Sequence, residues 1–132
     1  MKILNGKGQV LGRLASYTAK ELLRGEEIAI VNCERIIITG NKAFIRSEFD
    51  RKRNMVGTSQ KGPKHSTNSE IIVKRTIRGM LPDHRVGRGK EVYAKLRCYK
   101  GIPKELEGKT IIEFPKPQRS KISEVKEYTY GN

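Results

Sequence analysis

Leu11, Leu14, Ala15, Thr18, Ala19, Leu22 and Leu23 recur at the three-four spacing of a helix that buries one face. That helix lies between strand signals, and the order limits the fold. Before it, Ile3-Leu4 breaks at Asn5, Gly6 and Gly8, as a short strand does on entering a tight turn. After it, Gly25 supplies a C-terminal cap, followed by Ile28-Ala29-Ile30-Val31 and Ile36-Ile37-Ile38 with Asn32-Cys33-Glu34-Arg35 between them. Runs that are apolar at every position suit strands covered on both faces, as in a parallel sheet. Strand, helix, strand is the βαβ order, so an α/β domain around a small, mostly parallel sheet is expected.

A chain of 132 residues is long enough for one domain and buries about 65–70% of its unfolded surface. It needs neither a disulfide nor a metal to support a core. Only 36% of residues are apolar and Trp is absent, which implies a small core with long polar excursions. Past Gly40, Asn41-Lys42-Ala43-Phe44-Ile45 starts a second helix with Phe44, Ile45 and Phe49 inward. From Arg51 to Asn68 the periodicity disappears, and a basic loop over about residues 51–68 is expected. Thr67-Asn68-Ser69-Glu70 has the pattern of a capping box opening a third helix. Val73, Ile77, Met80 and Leu81 share its inner face, and Pro82 stops it. Residues 89–94 suit a short helix and residues 96–99 a strand. Beyond Lys104, Pro115, Pro117 and a helical candidate over residues 120–128 form a C-terminal extension. The division is one domain over 1–104 and an extension over 105–132.

Charge narrows the partner. Residues 1–41 hold six basic and four acidic side chains, residues 42–104 seventeen and five, and residues 105–132 five of each. The net charge of +14 is therefore concentrated in the middle of the chain. Such a one-sided excess repels itself unless a polyanion neutralises it. Lys42, Arg46, Arg51, Lys52, Arg53, Lys61, Lys64, Lys74, Arg75, Arg78, Arg85, Arg88, Lys90 and Lys95 form the candidate binding set. Guanidinium forks suit phosphate oxygens, and loops can follow an irregular backbone. His65, within the basic loop, either stacks on a base or simply sits in the loop. Phe44, Phe49, Tyr93 and Tyr99 are all plausible core residues, so no exposed aromatic platform is expected. Shape and phosphate recognition of folded RNA follows.

Other chemistries fare worse. Gly6-Lys7-Gly8-Gln9-Val10-Leu11-Gly12 precedes a helix and invites a small nucleotide-binding enzyme as the alternative. Its last two glycines are one residue too far apart for a dinucleotide fingerprint, and Gly12-Arg13-Leu14 lacks the Lys-Ser/Thr of a P-loop. His65 and His84 have no recognisable nucleophile partner, and Glu26, Glu27, Glu105 and Glu107 suit solvated surface. Cys33 and Cys98 lack metal-ligand spacing and suit buried thiols in a reducing compartment. No catalytic residue, metal, cofactor or small-molecule substrate is expected. No apolar run approaches a signal peptide or membrane span, so no membrane partner is expected either.

Several blocks together resemble one family over about residues 3–104. They are Gly12-Arg13-Leu14-Ala15-Ser16 with Ala19-Lys20 and Leu22-Leu23, Ile30-Val31-Asn32, Ile38-Thr39-Gly40 and Arg75-Thr76-Ile77-Arg78-Gly79-Met80-Leu81-Pro82. Leu96 and Tyr99-Lys100-Gly101-Ile102-Pro103 complete the set. In this order they resemble the universal large-subunit ribosomal protein L-thirteen family. Gly87-Arg88-Gly89 after Pro82 and the ending Gly101-Ile102-Pro103 resemble its archaeal and eukaryotic branch. The resemblance implies a three-layer α/β/α domain around a small sheet of about four strands. It also implies a non-catalytic, cytoplasmic, ribosome-bound protein that binds and stabilises large-subunit rRNA during assembly and touches neighbouring ribosomal proteins.

Overall fold

The structure is a computed structural model describing residues 1–55, 62, 64–118 and 120–129. Its elements in chain order are β1 (Lys2–Asn5), α1 (Leu11–Leu23), β2 (Ile28–Val31), β3 (Ile37–Thr39), α2 (Lys42–Asn54), α3 (Ser69–Arg78), α4 (Gly87–Ala94), β4 (Leu96–Cys98), β5 (Ile111–Ile112) and β6 (Ile122–Glu124). The central sheet is parallel throughout, in the order β4-β2-β1-β5. The α/β architecture read from the sequence is the one observed.

Register explains why these strands are apolar at every position. Leu4 lies opposite Ile30 and Ile112, and Ile28 opposite Leu96. These residues share one face and pack on Leu14 and Leu22 of α1, Ile72, Val73 and Ile77 of α3, and Val92 of α4. Ile3 lies opposite Ala29 and Ile111 on the other face, where Leu106 of a 3-10 turn and Tyr99 cover them. Helices thus form a thick layer on one side, while a 3-10 turn and loops form a thin one on the other.

Local chemistry fixes α1 at its end. Gly25, at φ +96°, takes the left-handed conformation there. Its N–H donates to Leu22 O at 3.0 Å and the Glu26 N–H to Glu21 O at 3.3 Å, the paired bonds of a Schellman motif.

Four expectations need correction. Ile36-Ile37-Ile38 does not join the parallel sheet: β3 pairs antiparallel with β6 in a separate two-stranded ribbon. The Thr67 capping box does not form, because Asn68 is the N-cap and makes no side-chain cap bond. α3 ends at Arg78 with Gly79 as C-cap, before Pro82 can act, and leaves Met80 exposed. The helix expected over residues 120–128 is instead β6 followed by a 3-10 turn at Val125–Tyr128.

The chain beyond Lys104 packs closely on the rest. β5 is an edge strand of the central sheet, Gln9 Nε2 donates to Phe114 O at 2.9 Å, and Tyr17 meets the Phe114 ring edge-on at 5.0 Å. The Val125 N–H donates to Ile36 O at 2.8 Å, and Val125 and Tyr128 are buried.

Candidate nucleic-acid interface

α3 is the centre of the cationic surface. Its inner residues Ile72, Val73 and Ile77 are buried against α1 and the sheet, so Lys74, Arg75 and Arg78 face away from the core. On one side Lys74 Nζ lies 5.0 Å from the centroid of Tyr93, which joins α3 to α4. On the other side Ile71, Ile72, Arg75 and Thr76 form one wall of a groove, and Phe44, Ile45, Glu48, Phe49 and Lys52 of α2 form the facing wall. His65 and Ser66 border the same groove.

α2 differs from the other helices because none of its residues is buried. Phe44, expected inward, is 66% exposed, while Ile45 and Phe49 are only partly covered. The helix runs on through Asn54, so the first residues of the expected loop are helical. The C-terminal segment holds it in place. Tyr128 stacks on Phe49 with centroids 5.1 Å apart, Lys42 Nζ pairs with Glu127 Oε2 at 2.8 Å, and Arg46 donates to Glu127 O at 3.2 Å. Arg53 donates to both Tyr128 O and Ser66 O, with its guanidinium 5.1 Å from the Phe49 centroid. At the start, Asn41 Oδ1 accepts the Ala43 N–H at 3.0 Å, capping the helix.

Within the predicted set, several side chains therefore bind their own protein. Besides Lys42, Arg46 and Arg53, Arg51 is paired with Glu48 at 3.0 Å and holds that carboxyl below its usual range. Arg88 donates to Leu23 O at 2.8 Å and Lys95 to Gly25 O at 3.3 Å. Both cations sit where the carbonyl end of α1 concentrates partial negative charge. Arg75 donates through Nη1 to Lys64 O at 3.0 Å and ties the chain before α3 to the helix.

The rest point elsewhere. The side chains of Lys52, Lys64, Arg78, Arg85 and Lys90 make no hydrogen bond or ion pair among the described residues. Lys61 lies outside the described residues. His65 has its basicity lowered by burial first and then by Arg75, Lys52 and Arg53, which shows how closely positive charge gathers at the groove.

Arg13 and Lys20, on the exposed side of α1, are cations that sequence reasoning left out. Their signal was present: both fall off the apolar stripe of α1.

The glycine loop has its backbone donors engaged. The Gly6 N–H donates to Val31 O at 2.9 Å, Gly8 to Arg35 O at 3.1 Å and Gln9 to Gly6 O at 3.1 Å. The Lys7 N–H donates to Asn5 Oδ1 at 3.0 Å. A Cβ at Gly6 would stand 2.7 Å from the Ile36 side chain, so that glycine is needed for packing. A phosphate cradle requires such N–H groups to point outward, and these point into the protein. Among the described residues no cluster of His, Cys, Asp or Glu could hold a metal ion, and no helix is long and apolar enough to cross a membrane.

The geometry describes an α/β body with an irregular cationic side, and comparison with known proteins places it in a family. Residues 1–105 match the family Ribosomal protein L13. The large ribosomal subunit protein uL13 of Methanosphaera stadtmanae is 44% identical over 124 residues, covering 92% of this chain and 87% of that protein. That of Methanococcoides burtonii is 41% identical over 132 residues, covering 100% and 94%. That of Archaeoglobus fulgidus is 38% identical over 126 residues, covering 96% and 80%. All three are named as large ribosomal subunit proteins, and the family match over residues 1–105 takes in β1 to β4 and α1 to α4. The chain belongs to the ribosomal protein L13 family.

Proposed function

We propose that this protein is a non-catalytic component of the large ribosomal subunit that binds large-subunit rRNA and stabilises its folded form during assembly. The outward-facing Lys and Arg side chains between residues 42 and 95 neutralise phosphates, and Arg13 and Lys20 extend the contact. Residues 1–104 carry the RNA-facing domain, while 105–132 form the extension that fastens α2 and meets neighbouring ribosomal proteins in the cytoplasmic ribosome.

The observation that carries this reading is the division of the cations. Lys52, Lys64, Arg78, Arg85 and Lys90 lie on or beside α2, α3 and α4, and their side chains make no hydrogen bond or ion pair among the described residues. Phosphates give such side chains counter-charges, and a folded RNA presents them along an irregular path. The alternative of a small nucleotide-binding enzyme lacks that support, since the loop over residues 6–12 that it needs donates inward.

Single replacements test the division. Arg78→Ala, Lys52→Ala and Lys90→Ala should each weaken binding to large-subunit rRNA and lower the salt slope by about 0.7–1 per lost phosphate contact. Their denaturation midpoints should stay at the wild-type value. Arg88→Ala should instead lower the midpoint, because Arg88 caps α1. Unchanged salt slopes in all three exposed variants would contradict the reading.

A further inference from the structure

We propose that the groove between α2 and α3 captures one unstacked nucleotide of the bound RNA, with its base against Phe44 and its phosphates at Lys52 and Arg75. The site deepens the rRNA-binding reading and rests on it.

The groove has a volume of about 330 Å³, at the small end of the roughly 300–1,000 Å³ of ligand clefts. Its floor and walls are apolar, yet Phe44 is 66% exposed and Ile71 46% exposed. An apolar surface of this kind, open between two helices, calls for a cover. Charge selects what covers it. Lys52, His65 and Arg75 line the same groove, and the one carboxylate among its described lining residues, Glu48, is already paired with Arg51. An apolar peptide would bury Phe44 and Ile71 but leave Lys52 and Arg75 against a low-dielectric contact without counter-charge. A nucleotide supplies both halves: a flat π-face for the ring and phosphates for the cations. Ser66, Thr76 and the His65 imidazole stand on the walls, where the polar edge of a base needs hydrogen-bonding groups. Burial and the nearby cations lower the basicity of that imidazole and so favour its neutral form, which donates at one nitrogen and accepts at the other.

The chain contains no Trp, so Phe44→Trp introduces a single indole at the proposed stacking position. Titrated with deproteinised large-subunit rRNA, its emission should be quenched in step with binding, because a base stacked on the ring deactivates the excited state. Phe44→Ala should lose about 5- to 150-fold in affinity, the equivalent of about 1–3 kcal/mol of stacking. Its salt slope should equal that of wild type, since no phosphate contact is removed. The exposed position predicts an unchanged denaturation midpoint for both variants.

Wild-type affinity in Phe44→Ala, or an indole that binds rRNA without quenching, would overturn the site while leaving the RNA reading intact. An indole that shifts to the blue, unquenched, only when large-subunit proteins are added would assign the groove to a protein segment and also overturn it. A wild-type chain that does not bind rRNA at all removes the RNA reading itself and this site with it.

Discussion

Glu21 shows how one buried charge is accommodated. Its side chain is 5% exposed on the inner side of α1, where it accepts from Lys2 of β1 and from Arg24 one turn on. The bond to Lys2, opposed by burial and helped by both cations, holds its carboxyl below the ordinary 4.5. A lowered folded-state value means that the unfolded chain takes up the proton first. The ion pairs thus stabilise fully above about pH 4.5 and are lost as pH falls through the folded value. Glu21→Gln should be less stable than wild type at neutral pH and lose less on acidification below that point. Urea midpoints measured across the acid range would check this, and parallel curves for the two proteins would contradict it. Such a pairing was not legible in the sequence, because Lys2 and Glu21 meet only when β1 docks beside α1. Phe44 was misread for the opposite reason. A large apolar residue in a helical pattern is ordinarily core, but α2 buries none of its residues and packs on the core only through Phe49.

Among the elements, α1 and the parallel strands were the most legible, since their apolar periods match the faces they bury. The register of Leu4, Ile28 and Leu96 makes the reason concrete: each lies on the face that α1, α3 and α4 cover. β3 and β6 were harder. Ile36-Ile37-Ile38 looks like a buried parallel strand, and what it pairs with is decided more than eighty residues later in the chain. α2 depends on the same distant segment, because Tyr128, Glu127 and the backbone around them supply its anchors. Tyr128→Ala should therefore loosen α2 selectively. Hydrogen exchange is expected to show lost protection for α2 amides while β1, β2 and β4 stay near wild type. Equal loss across the sheet would mean that the C-terminal segment supports the whole fold rather than one helix.

At the scale of the whole molecule, a small core carries a large charge. The net +14 is concentrated between residues 42 and 104, and the fold spreads it over α2, α3, α4 and their connections. The composition made that polarity legible. It could not separate the cations that clamp the fold from those that face outward, because Arg88 and Arg78 look alike until α1 is placed beside α4. The two kinds should respond differently to salt: the clamps are partly screened within the protein, and the outward set exchanges counterions for phosphates.

The most direct measurement is the affinity of the wild-type chain for large-subunit rRNA as a function of salt. With about six to ten phosphates engaged, binding should weaken by roughly a thousandfold to a hundred-thousandfold between about 50 and 200 mM salt. A nearly flat response would contradict the claim that this cationic side meets RNA phosphate.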